Sequence, residues 1–265
     1  ELIKISEGTI DSAKLKDLNV SGQNIIENSE KLLFDLAEKG SSNTSLVKFD
    51  EALKFTIEMA SNAYKNEEGI VGVPTGLTEL DDRLGGLHKS DLIIIAGRPS
   101  MGKTAFATNI ASNISKNTEK KKNVLFFSLE MSSEQLATRL LGELAELSSE
   151  NIRTGNLSKS DFGKLMQSSE SLKKLNLFID DTPALSISSI RTRARRLKRK
   201  FGLDLIILDY LQLVSGESKS NDNRVQEISD ITRGLKAIAK EFDIPVIALS
   251  QLSRKVEDRE EKRPQ

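Results

Sequence analysis

Apolar residues recur along this chain in two different periods. From about residue 91 onward, short aliphatic runs alternate with longer segments whose apolar positions return every three or four residues. The runs lie at 91–96, 124–130, 177–181, 205–209 and 245–251. Unbroken apolar stretches of this length read as strands buried on both faces. The intervening segments read as helices. The first runs through 105–111, and the second follows a Ser132-x-x-Gln135 capping box and extends to Leu147. Further helices are predicted at 160–175, at 188–201 closed by Gly202, and at 224–242 through Val225, Ile228, Ile231, Leu235, Ile238 and Ala239. Strands alternating with helices in this way predict an α/β fold, a mostly parallel sheet covered by helices on both faces.

The first third of the chain lacks that alternation. Residues 1–23 are polar and without a clear period. Ile25, Ile26, Leu32, Leu33, Leu36 and Ala37 mark one face of a helix over 24–39, with Gly40 as its stop and a flexible linker at 40–45. A second helix at about 50–64 carries Phe49, Leu53, Ile57, Ala60 and Tyr64 on one stripe, and 66–69 closes it. Such a stripe needs an apolar partner, in this subunit's core or on a neighbour's surface. The expected organisation is therefore a remnant of a preceding domain at 1–23, a helical linker at 24–68 and an α/β domain at 69–265.

Composition removes several classes of function. Lys plus Arg and Asp plus Glu number 39 each, so any basic surface must be local. There is no Cys, which excludes disulfides and thiolate metal sites and suits a reducing cytosol. The lone His88 reads as a solvated loop residue. No apolar stretch is long enough to span a membrane. The chain opens at Glu1 and closes on Arg263-Pro264-Gln265, and is expected to be part of a longer protein.

Chemistry concentrates after the first strand. Gly97-Arg98-Pro99-Ser100-Met101-Gly102-Lys103-Thr104 matches the phosphate-binding loop G-x-x-x-x-G-K-[ST], with a strand before it and a helix from Ala105 after it. Glycines let successive N–H groups turn toward phosphates, and the helix directs its positive N-terminus at them. Lys103 is expected to reach the β/γ-phosphates and Thr104 to hold Mg²⁺. The expected ligands are ATP and Mg²⁺.

Ligands of such sheets bind at the carboxyl ends of the strands. Asp209 and Asp180 are both candidates for the metal-holding carboxylate. Asp209 is favoured because it follows four uninterrupted aliphatic residues, while Asp180 follows three apolar ones and is doubled by Asp181. Either would also suit a turn after its strand. Glu130 is a candidate to orient the attacking water, or a residue of the turn before a helix cap. Gln251, at the end of the last strand, suits a γ-phosphate contact. Arg191, Arg193, Arg195, Arg196, Lys198, Arg199 and Lys200 crowd one helix. Its apolar seam (Ile190, Ala194, Leu197, Phe201), without interleaved aromatic residues, favours a solvated or subunit-contact face over direct DNA binding.

The Thr75-Gly76-Leu77, Leu80-Asp81 and Gly85-Gly86-Leu87 stretch before the loop resembles RecA-like ATPases. Phe-Phe-Ser-Leu-Glu-Met-Ser at 126–132, Asn-Arg-Val-Gln-Glu-Ile-Ser at 223–229, Leu-Asp-Tyr-Leu-Gln-Leu at 208–213 and Leu-Ser-Gln-Leu-Ser-Arg at 249–254 accompany the phosphate loop. Together, over roughly 70–264, they resemble the bacterial DnaB-type replicative DNA helicases. The resemblance implies a RecA-like core, Asp209 as metal ligand, Glu130 as catalytic carboxylate, Gln251 as γ-phosphate sensor and Arg139 near the nucleotide. It also implies a cytoplasmic homohexamer held by the helix at 50–64, moving 5′ to 3′ on single-stranded DNA, with primase and a helicase loader as partners. In that family the DNA-binding loop and arginine finger lie beyond the Lys-Arg-Pro at 262–264, so this chain is expected to bind ATP–Mg²⁺ but turn it over slowly. The rival readings are a RadA-like recombination ATPase and a non-catalytic ring module, against which Glu130 argues.

Overall fold

A computed structural model describes residues 2–14, 48–65, 70–116, 122–215 and 224–252, with isolated helical positions between 22 and 36. The expected linker at 40–45 and the loop at 216–223 lie outside the described residues, as does much of the helix expected at 24–39. The chain divides into two compact units, Glu1–Ser61 and Asn62–Gln265.

In the first unit, helix α1 spans Leu2–Lys14, where the sequence showed no period. None of its residues is buried. Leu2, Ile3, Ile5, Ile10 and Ala13 share one side of it, but they are sparse among polar neighbours and so do not stand out in the sequence. Helix α2, Phe49–Lys65, opens with Asp50 and Glu51 in its first turn, where acidic side chains favour the helix dipole. Phe49, Leu53, Ile57 and Tyr64 of its stripe are all exposed.

The second unit is built on five parallel strands: β1 (Leu92–Gly97), β2 (Val124–Ser128), β3 (Leu177–Asp180), β4 (Leu205–Asp209) and β5 (Val246–Gln251). Their order across the sheet is β1-β5-β4-β2-β3, so β4 and β5 are flanked on both sides. Successive side chains of a strand point to opposite faces, and the aliphatic runs therefore supply both layers of core. Val124, Phe126, Leu205, Ile207, Ile247 and Leu249 meet Ala107, Ile110, Ala111, Leu136 and Leu140 on one face. Leu125, Phe127, Ile206, Leu208, Val246 and Ala248 meet Ile190, Ala194, Ile231, Leu235 and Ile238 on the other. The helices providing these layers are α4 (Lys103–Lys116) and α5 (Ser133–Ala145) on the first face, α8 (Ile187–Phe201) and α9 (Arg224–Phe242) on the second.

Several expectations need correction. Among the described residues β1 pairs on one side, with β5, and it is half-buried, with Ile94 44 % exposed. β2 stops at Ser128, so Glu130 is two residues beyond it rather than at its end. The helix expected to run to Leu147 ends at Ala145, where Glu146 turns out of it with φ 56, and α6 (Ser149–Thr154) and α7 (Lys159–Leu172) follow. The capping box that starts α5 is present in both halves: Ser132 Oγ accepts from Gln135 N, and Gln135 Oε1 accepts from Ser132 N.

A short helix, α3 (Thr78–Leu84), precedes β1 and was not expected. Its anchor is polar. Asp81, 4 % exposed, accepts from Thr75 N at 2.8 Å, Thr75 Oγ1 at 2.9 Å and Gly76 N at 3.0 Å. Asn113 Nδ2 of α4 donates to Thr75 O at 3.2 Å, tying this turn to the helix that follows the phosphate loop. Three donors stabilise a buried carboxylate that burial alone would penalise. His88 lies in the loop after α3, its Nε2 2.9 Å from Leu84 O at the end of that helix.

Candidate nucleotide-binding site

Parallel strands deliver their carboxyl ends to one edge of the sheet. Gly97 is in register with Gln251, and Ser128 with Asp209. Leu129 N donates to Asp209 O at 2.9 Å, extending the β2–β4 ladder by one step before the chain turns at Glu130. The phosphate loop, Glu130, Asp209 and Gln251 thereby share one edge, and Arg139 approaches it from α5.

The loop leaves β1 at Gly97 and enters α4 at Lys103. Gly102 has φ +82, and Ser100 takes φ 61, so the backbone turns twice through the left-handed region. A side chain on Gly97 would meet Lys103 Cγ at 3.1 Å and Cδ at 3.2 Å. The lysine stem thus lies across that glycine, and Lys103 Nζ donates to Arg98 O at 2.9 Å. Pro99 and Ala105 are half-buried at the two ends of the turn, while Ser100 and Met101 are exposed.

Thr104 Oγ1 donates to Asp209 Oδ2 at 2.7 Å. Asp209 is 2 % exposed, at the end of a strand buried throughout. Burial pushes its carboxyl above the usual range; Thr104's hydrogen bond opposes that shift, Glu130's charge adds to it, and Lys103 and Arg139 oppose it. A buried carboxylate beside a hydroxyl, at a loop built for phosphates, fits Mg²⁺, which is typically held by one or two carboxylates plus substrate phosphates. Among the described residues no cluster of three or more acidic or His side chains offers an all-protein metal cage.

Asp180, the rival carboxylate, is otherwise engaged. It ends edge strand β3, and Arg193 Nη1 donates to both its oxygens, at 2.7 and 2.6 Å. Asp181 accepts from Ser133 N at 2.8 Å and so caps α5. The basic helix α8 spends much of its charge internally. Arg191 and Arg195 pair with Glu241 of α9 at 3.3 and 2.6 Å, and Lys198 donates to Phe242 O.

Glu130 is exposed in a bend. That bend is held by Ser128 Oγ, which donates to Met131 O at 2.7 Å. Gln251 is half-buried, and its backbone is held by Gln212, which sequence reasoning did not single out. Gln212's one signal was its place as a lone polar residue in the apolar stretch 211–214.

The raised affinity of Asp209 for a proton has a sign. The folded chain holds this proton more readily than the unfolded chain, so ionised Asp209 lowers stability at neutral pH. That penalty is relieved as pH falls through the folded value. Asp209→Asn is expected to raise the melting temperature of the nucleotide-free protein at neutral pH by about 2–4 °C. The margin over wild type should shrink as pH falls. A lower melting temperature for the variant, by scanning calorimetry across pH, would contradict this reading.

A parallel sheet with a phosphate loop between β1 and α4, and polar groups gathered at the strand ends, defines a RecA-like nucleoside-triphosphatase core. The chain belongs to the family described as the DnaB-like helicase C terminal domain, whose profile matches residues 72–265. It is 52 % identical over 271 residues to the replicative DNA helicase DnaB of Rickettsia conorii, covering 99 % of this chain and 55 % of that protein. It is 46 % identical over 243 residues to the replicative DNA helicase DnaC of Bacillus subtilis, covering 91 % of this chain and 53 % of that one. The chain spans about half the length of these curated relatives. Among solved structures, a DnaB-like replicative helicase described with its primase interactions superposes with a TM-score of 0.78 at 35 % identity, over 99 % of this chain and 59 % of that one. The ATPase domain of G40P superposes at 0.74 with 39 % identity, over 82 % and 75 % of the two chains.

Proposed function

We propose that this chain is the ATP-driven motor of a replicative DNA helicase. The observation that supports it most is the convergence of the phosphate loop, the Thr104–Asp209 pair, Glu130 and Gln251 on one sheet edge. The backbone N–H groups of Arg98 and of residues 100–105, with the Lys103 ammonium, would hold the β- and γ-phosphates, Pro99 having no N–H to offer, while Thr104 and Asp209 would hold Mg²⁺. When bound, the ion neutralises charge developing on the phosphate oxygens. Glu130 would orient a water and take its proton as the water oxygen bonds to the γ-phosphorus. The bond from that phosphorus to the bridging oxygen breaks, and the oxygen leaves with ADP. Gln251 would donate to the γ-phosphate and register its departure. Arg139 would sit near the nucleotide.

The rest of the reading concerns the whole protein. The exposed stripe of α2 suits docking on an adjacent subunit, and with it a homohexameric ring. Single-stranded DNA would be the track, followed 5′ to 3′, in the bacterial cytoplasm. Primase and a helicase loader are the proposed partners; the primase proposal draws on the solved relative described with primase. In the full-length protein, single-stranded DNA should stimulate ATP turnover and forked DNA should be separated, both lost in Lys103→Ala. DNA-stimulated turnover without strand separation would contradict the helicase reading and favour a recombination ATPase.

A further inference from the structure

β4 and β5 stop pairing earlier than their neighbours do. Their register runs Ile206↔Val246, Ile207↔Ile247 and Leu208↔Ala248, and ends there. β5 continues beside β1 as far as Gly97↔Gln251. After Asp209 the chain turns into a short 3₁₀ segment, Leu211–Leu213. In a parallel ladder the N–H and C=O of one residue face the same neighbouring strand. Leu252 N donates to Gly97 O on the β1 side, which leaves the Gln251 backbone facing the place β4 has vacated.

The Gln212 side chain fills that place. Its Oε1 accepts from Gln251 N at 3.2 Å, and its Nε2 donates to Gln251 O at 3.1 Å. The same Nε2 lies 3.1 Å from Ser250 Oγ. A primary amide has the donor and acceptor of a peptide group, so one side chain substitutes for the missing residue of β4. Gln212 is only three residues past Asp209, and Leu211 and Val214 on either side are 2 % exposed, which fixes the turn in the core.

We propose that Gln212 is a positioning residue that sets the Gln251 side chain by holding its backbone, linking the metal-side strand end to the γ-phosphate side. This rests on the reading of Gln251 as the γ-phosphate contact. Gln212 would touch neither nucleotide nor metal. Its effect should therefore appear in discrimination between triphosphate and diphosphate, not in nucleotide binding as such.

The test measures affinities for Mg²⁺–ADP and for a Mg²⁺-bound non-hydrolysable ATP analogue. The proteins are the wild-type chain, Gln212→Met, Gln251→Ala, the double variant and Lys103→Ala. A lost hydrogen bond to a charged group is worth about tenfold in affinity. Gln251→Ala and Gln212→Met should each lower the triphosphate preference by about that factor, with ADP affinity unchanged. The double variant should lose no more than Gln251→Ala, because both act through one contact. Should Gln212→Met fail to fold, Gln212→Glu keeps the shape and the bond accepted from Gln251 N but turns an acceptor and a negative charge on Gln251 O, and predicts at least the same loss. A wild-type preference in the Gln212 variants, equal loss of both nucleotides, or additive effects in the double variant would each overturn the proposal. If Gln251→Ala itself keeps the preference, the reading of Gln251 falls. If Lys103→Ala keeps both affinities, the site falls.

Discussion

Glu130→Gln is expected to reduce ATP turnover by about 10²- to 10⁴-fold, the range for loss of a positioned proton acceptor, while leaving nucleotide affinity nearly unchanged. The substitution preserves size and removes the basic oxygen. Glu130 lies in a bend whose shape is fixed without its side chain, by Ser128 Oγ on Met131 O and by Leu129 N on Asp209 O. It is also exposed, so the fold should not respond. Its charge is felt at Asp209, where it raises proton affinity; neutralising it should make Asp209 slightly more acidic and Mg²⁺ dependence no weaker. The measurement is steady-state turnover of the full-length protein saturated with single-stranded DNA, beside equilibrium binding of an ATP analogue. Turnover within a few-fold of wild type would remove Glu130 from the chemistry.

Lys103→Ala is expected to weaken ATP–Mg²⁺ binding by about 10²-fold or more, since it deletes charge-assisted bonds to two phosphates worth roughly 1.5–3 kcal/mol each. At rest the Lys103 ammonium donates to Arg98 O, 2.9 Å away. Binding would exchange that single carbonyl for phosphate oxygens, strengthening the bond without ordering a free side chain. The half-buried stem runs across Gly97, and its loss leaves a shallow surface gap, not a core cavity. The variant should fold as wild type does. Titration with a fluorescent ATP analogue checks this, and affinity within about threefold of wild type would contradict it.

The fold was legible where burial is two-sided. The runs at 124–128 and 205–209 are buried at every position, and hydrophobicity alone marks them. What escaped was held by polar or backbone terms. Helix α3 depends on three bonds to Asp81, which no period of apolar residues records. The break after α5 sits on Glu146 in a left-handed conformation, where a glycine would have marked it. The apolar residues of α1 share one side but are sparse among polar ones.

The candidate site was legible because parallel topology places every strand's carboxyl end on one edge. Polar residues ending apolar runs are then neighbours without being near in sequence, as Ser128 and Asp209 are. The choice between Asp180 and Asp209 turned on run length, which reflects position in the sheet: β4 is central, β3 an edge. Gln212 was not legible because its partners are the main chain of Gln251 and the hydroxyl of Ser250. Backbone groups belong to every residue, and no side-chain pattern points to them.

Nucleotide is expected to bind where β1 passes into α4. Amide hydrogen–deuterium exchange of the chain, with and without an ATP analogue and Mg²⁺, tests it most directly. Slower exchange is expected at Arg98 and at residues 100–105, lost in Lys103→Ala, with a smaller effect at Gln251. Saturating binding that leaves the Arg98 and 100–105 amides unprotected, and protects another segment instead, would contradict it.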